Sequence, residues 1–155
     1  MVQNKEWGPH LWTILHLCAE NCGRQPSQML HQDEVRAFIH MLKLVEAILP
    51  CPLCQKHYRS WRTKNPLDFP GSPTAFYEAA RNWLWKLHDT INEERGVARP
   101  SLEEATELNK QKDFQQSLKA LLEVLEQAKL QRLIDGAHVR EWLQRLTHLR
   151  RFIRV

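Results

Sequence analysis

The chain has 155 residues with 22 Lys and Arg against 18 Asp and Glu, a formal charge of +4, and four cysteines. That length is enough for one domain with its own core, so the cysteines are not needed as staples. The charge is too small to argue for nucleic acid. Only five glycines, few β-branched runs and many Leu, Gln, Glu, Lys and Arg exclude a sheet-rich fold and predict an all-α protein. No apolar run approaches the ~20 residues of a membrane span. The polar start, Met1 to Gly8, does not read as a secretion signal. The expectation is a soluble intracellular protein.

In chain order, Trp7-Gly8-Pro9 reads as a turn leading into a first helix over residues 9–22. Leu11, Leu15, Cys18 and Cys22 recur there at steps of four, three and four and form its core stripe. Trp12 and His16 make a second stripe, a ring and an imidazole one turn apart that serve either as core or as a platform for a ligand. Gly23 and Pro26 stop the helix.

A second helix starts between Ser27 and Asp33 and runs to Leu49, its period carried by Val35, Phe38, Leu42 and Val45. Pro50 ends it and delivers Cys51-Pro52-Leu53-Cys54 to the start of a third. A helix N-terminus lowers a thiol's pKa, so this Cys-x-x-Cys is a competent redox or metal unit. Cys54, His57, Tyr58 and Trp61 follow at helical steps; thiol, imidazole and rings together suit a flat redox cofactor. After a loop with three prolines, Ser72-Pro73 opens a fourth helix that runs to Arg95 and places Trp85, His88 and Asn92 on one face.

Trp12-x-x-x-His16, Cys51-x-x-Cys54 and His88-Asp89-x-Ile91-Asn92, in this order, resemble the motifs of the Erv/ALR sulfhydryl oxidases. The Cys-x-x-Cys-x-x-His form and Thr63-Lys64-Asn65-Pro66 are most similar to the small viral members, which would place the protein in a host cytoplasm. The resemblance covers residues 7–96. It implies a four-helix bundle over residues 1–97 with FAD held in its mouth, the isoalloxazine beside a Cys51–Cys54 disulfide and the adenosine near His88 and Asn92. Trp12, His16, His57, Tyr58, Trp85, His88, Ile91, Asn92 and Arg95 are then the cofactor-binding candidates, Cys51 and Cys54 the catalytic pair. The implied partners are protein dithiols and O2, in a homodimer, with neither nucleic acid nor membrane.

The chain also departs from the family's pattern. Asp89 stands where the family has Asn, Glu93-Glu94 stand where many members are basic, and Val97 replaces a Lys. The FAD diphosphate then needs cations from elsewhere, the candidates being Lys64, Lys86, Arg95 and Arg99. The cysteine pair that often ties the bundle's end in cellular members is absent.

Residues 98–155 read as a helical extension, packed on the bundle or on a dimer partner. Ser101 caps one helix, Phe114, Leu118, Leu121, Leu122 and Leu125 mark another, and Gly136 opens a last that carries Val139, Trp142, Leu143, Leu146, Leu149 and Ile153. The alternative to an oxidase is a structural zinc module with Cys18, Cys22, Cys51 and Cys54 as four sulfur ligands. It leaves Trp12, His16, Trp85, His88 and Asn92 without a role. A thioredoxin-like exchanger would need strands around the motif. Cys18 and Cys22 are expected in the core, with a relay disulfide or an intersubunit bridge the other readings. One helical turn separates their Cβ atoms by about 5 to 6 Å, whereas a disulfide needs roughly 3.5 to 4.5 Å.

Overall fold

A computed structural model describes residues 1–69 and 71–155; Pro70, one of the three loop prolines, lies outside the described residues. Seven helices and no strand occur among them: α1 (Asn4–Glu20), α2 (Gln28–Ile48), α3 (Pro52–Lys64), α4 (Pro73–Arg95), α5 (Leu102–Lys110), α6 (Phe114–Leu130) and α7 (Gly136–Leu149). The all-α expectation holds. No described helix is long and apolar enough to cross a membrane.

Local chemistry accounts for the helix starts. Ser27, Ser72 and Ser101 each accept a backbone N–H from three residues on, at Leu30, Ala75 and Glu104, and Asp113 does the same for Gln116. Each satisfies an amide that the first turn leaves without a partner. Gly96, at φ 65°, closes α4 in the left-handed region.

The first helix differs from the reading of Trp7-Gly8-Pro9 as a turn. It begins five residues earlier, at Asn4, runs through Pro9 and stops at Glu20. Burial explains the difference. Trp7 lies one turn before Leu11 on the core stripe and is itself buried, which outweighs the bond that Pro9 denies to the exposed Lys5 carbonyl. Gln3 N–H donates to the Glu6 carboxylate and Glu6 N–H to the Gln3 carbonyl, which secures the start. The last helix also stops short of Ile153, which reaches the core from the turn after it.

The packing is decided at long range. Glu20 ties α1 to α4 and α5 by accepting from Arg81 Nε at 3.1 Å, Tyr77 at 3.3 Å and Thr106 at 3.2 Å. Arg59 and Arg62 on α3 both donate to Glu46 on α2, and Trp83 Nε1 on α4 donates to Asn65 O after α3 at 2.9 Å. Gly23, at φ 76°, passes so close to α4 that a Cβ there would sit 2.5 Å from Pro73 O. Only glycine fits both the torsion and the space. Helix α6 lies along α1 and α7 along α2. Phe114, Leu118, Leu121, Leu125, Trp142 and Leu146 thereby join one apolar core with Leu11, Ile14, Phe38, Leu42 and Leu84.

Candidate active site

The Cys-x-x-Cys motif is built by the break between α2 and α3. Pro50 separates the helices, and Cys51, extended at φ −153°, is the N-cap of α3 with Pro52 in its first turn. Cys51 Sγ accepts the Cys54 N–H at 3.1 Å, so the cap that starts the helix is one of the two sulfurs of the motif. Cys51 and Cys54 form a disulfide with Cα atoms 5.1 Å apart. Both are half-buried, while Leu53 between them is 60% exposed, so a thiol can reach the bond from solvent. On the other sulfur, Asn4 Nδ2 donates to Cys54 Sγ at 3.6 Å. Sequence reasoning missed Asn4: it lies 50 residues from Cys54, before the expected helix start, and no local pattern connects them.

The residues expected alongside Cys54 on α3 diverge. His57 is exposed. Tyr58 turns into the core, donates its hydroxyl to Leu42 O at 2.5 Å and meets Trp83 edge-on; burial raises its pKa. Trp61 is half-buried with its ring 4.8 Å from that of Trp83 in a T-shaped pair. None of the three lies in the ring cluster formed by α1 and α4.

That cluster joins Trp12, His16 and His88. The Trp12 and His88 rings stack with centroids 4.0 Å apart and planes within 6°, and His16 Nε2 and His88 Nδ1 share a hydrogen bond of 2.9 Å. Burial lowers the His16 pKa to about 3, helped by His88. Burial, and then the cation of Arg95, lower that of His88 to about 4. Both rings are neutral at physiological pH, so one donates and the other accepts. The pair therefore keeps one further N–H and one further lone pair to offer.

Trp85, one turn before His88, is half-buried, and its indole N–H donates to Pro100 O at 3.0 Å and holds the chain after α4. Ile91 and Asn92 are half-buried beyond His88, and Arg95 is exposed at the helix end. Of the four cation candidates, Arg99 is already matched by carboxylates. It makes two bonds to Asp89, at 2.9 and 2.8 Å, and lies 3.3 Å from Glu93. Lys64, Lys86 and Arg95 have no ion-pair partner among the described residues.

The four cysteines do not form one cluster. Cys18 and Cys22 are free thiols inside the core, and no group of three or more His, Cys, Asp or Glu able to hold a metal occurs among the described residues. A cleft of about 620 Å³ lies away from the rings, between α2, α3 and the α6–α7 corner, with Gln55, Arg59, Arg132 and His138 on its walls.

The model of the Erv1/Alr family matches residues 9–118. The chain belongs to this family. The Erv1/Alr match thus takes in α1 from Pro9 on, the whole of α4, the disulfide and the first turn of α6. FAD-linked sulfhydryl oxidases of African swine fever virus, from a Kenyan pig isolate and a Malawian tick isolate, are each 33% identical to the chain over 86 residues. That is 56% of this chain and 65% of each relative, so the match spans less than two thirds of their length. No solved structure gives a significant match.

Proposed function

We propose that this Erv1/Alr chain is an FAD-dependent sulfhydryl oxidase that forms disulfides in protein dithiols and reduces O2 to H2O2. The observation that carries the reading is the half-buried Cys51–Cys54 disulfide, set at the N-terminus of α3 where a thiol can reach it. The chemistry belongs to residues 1–97, with 98–155 bracing them.

A substrate thiolate attacks Cys51 Sγ, the sulfur–sulfur bond breaks, and its electron pair leaves on Cys54 Sγ as a thiolate. A second substrate thiolate attacks the substrate sulfur of the mixed disulfide and releases Cys51. The substrate departs oxidised by two electrons, and Cys51 and Cys54 are left as a reduced pair. Bound FAD would supply the two-electron acceptor that returns Cys51 and Cys54 to the disulfide, with dioxygen as the final oxidant. The N-terminus of α3 favours the thiolate forms throughout.

The residues present suit that cofactor. Trp12, His16 and His88 offer flat faces with one donor and one acceptor left over, and Ile91, Asn92 and Arg95 follow on the same helix as His88 with an apolar contact, an amide and a cation. Tyr58, Trp61 and Trp83 act behind them as packing. A homodimer goes with this reading.

An absorbance scan of the purified protein tests the proposal together with oxygen uptake on dithiothreitol and on a reduced protein. Flavin bands and stoichiometric H2O2 are expected. A colourless protein that takes up no FAD and consumes no oxygen overturns it, and one bound zinc per chain would favour the structural module.

A further inference from the structure

The two sulfurs of the disulfide are held differently. Cys51 Sγ accepts a main-chain N–H of its own helix, whereas Cys54 Sγ accepts a side-chain amide from Asn4, in the first turn of α1. That first turn is anchored from a third place. Val2 N–H, two residues before Asn4, donates to Gln131 Oε1 at 2.8 Å, and Gln131 is the C-cap of α6. The corner after α6 is tightly closed: Arg132 takes the left-handed torsion, φ 60°, while Arg132 N–H bonds Lys129 O and Leu133 N–H bonds Ala128 O, each at 3.0 Å. A non-glycine residue keeps such a torsion only where its surroundings hold it.

We propose that Asn4 stabilises Cys54 as the leaving thiolate, and that the α6–α7 corner, through Gln131 and Val2, holds Asn4 where it can do so. The proposal rests on the disulfide-exchange step described above. When the substrate thiolate bonds to Cys51 Sγ, the electron pair of the broken bond goes to Cys54 Sγ, and the Asn4 N–H already points at the atom that becomes charged. A hydrogen bond to an ion is about twice as strong as one to a neutral group. It therefore favours the separated thiolate over the intact disulfide, and a better-stabilised leaving sulfur departs faster. The extension thereby acts on the redox centre without contributing a redox residue. Asn4 touches a reacting atom; Gln131 is a positioning residue.

The test isolates Cys54 in a Cys51→Ser background, which should fold because serine is a strong N-cap. Cys18 and Cys22 are buried, so the fast alkylation by iodoacetamide reports Cys54. Its rate is measured against pH. Other ionisable groups on the elements that meet here are Lys5 and Glu6 on α1, Lys56 and His57 on α3, and Lys129 and Arg132 at the corner; the variants leave all of them in place. Asn4→Ala should raise the midpoint by about one pH unit, the scale of a hydrogen bond to a charged group. Asn4→Asp should raise it further, because a carboxylate would face the thiolate, and Gln131→Ala should raise it less than Asn4→Ala. With both cysteines present, Asn4→Ala should lower kcat/KM for a dithiol several-fold at neutral pH, with the melting temperature unchanged since Asn4 is exposed.

Unchanged midpoints in Asn4→Ala and Asn4→Asp would overturn the proposal, as would a moved midpoint with unaltered turnover. A parent protein with no oxidase activity but a midpoint sensitive to Asn4 would instead remove the functional reading on which the leaving-group role depends. That outcome overturns the role and leaves the hydrogen bond standing.

Discussion

Replacing Cys18 and Cys22 together by alanine separates a structural pair from an electron relay. Cys18 is 0% exposed, Cys22 is 1% exposed, and both are free thiols. Burial raises the Cys18 pKa from 9.0 to about 12 despite the lowering influence of Arg150. It also raises that of Cys22, with the Glu34 carboxylate adding to the effect. A thiol moved from 9.0 to about 12 is ionised about a thousandfold less at neutral pH, and only the thiolate is a nucleophile. A relay through this pair would be slowed by that loss of thiolate before access is considered, and the greater nucleophilicity of a high-pKa sulfur offsets only part of it. Each lost sulfur forfeits about 0.8 kcal/mol of transfer free energy, a methylene's worth. A residual cavity of about 20 Å³ adds about 0.5 kcal/mol. The double variant should therefore lose about 2 to 3 kcal/mol by urea denaturation and keep full turnover on dithiothreitol and on a reduced protein. Native protein should yield no fast-reacting thiol from these positions, and unfolding should expose two. Turnover that survives on dithiothreitol and collapses on the protein substrate would refute the reasoning and make the pair a relay.

Cys54→Ser should abolish turnover and retain flavin, whereas Cys51→Ser should leave Cys54 as a thiolate and add a broad long-wavelength absorbance; identical spectra would reverse or cancel the roles assigned to the two sulfurs. Charge reversal at Lys64, Lys86, Arg95 and Arg99, one at a time, should weaken flavin retention for at least one, with Arg99 the least direct because Asp89 and Glu93 already hold it; full retention in all four would place the counter-charge elsewhere. His16 has its pKa lowered in the folded state, so its stabilising contribution is complete above pH 6.5 and is lost as pH falls toward about 3. Between pH 6.5 and 5 that loss is about 1.5 kcal/mol, to which His88 adds in the same sense, and it is read as a falling melting temperature. Glu34 works in the opposite sense: burial raises its pKa from 4.5 to about 7, so its contribution is present below 4.5 and is lost as pH rises through 7. Glu34→Gln should then melt higher than the parent at pH 8 and lose stability more steeply on acidification; parallel curves would show that Glu34 does not titrate in this window.

The amino-acid sequence alone determines most helix starts, because a cap is a short-range event. A serine followed three residues on by an amide in need of an acceptor is visible in a local window, as at Ser72 and Ser101. The Cys51–Cys54 pair is legible for the same reason: two intervening residues and a helix start leave the sulfurs within reach of each other. Helical period also announces that Trp12 and His16 share a face, and that His88 belongs to a face of its own. It does not reveal that the two faces meet. The His16–His88 bond spans 72 residues, and an apolar or aromatic stripe states how much surface must be covered without naming the partner that covers it. Tertiary structure likewise decided that Trp7 is core, which draws Pro9 inside a helix against its own preference. It turned Tyr58 inward, because the Leu42 carbonyl offered its hydroxyl a buried acceptor. It also laid α6 on α1 and α7 on α2, and so brought Gln131, Val2 and Asn4 to the disulfide, a meeting made of contacts 129 and 50 residues apart that no local window contains.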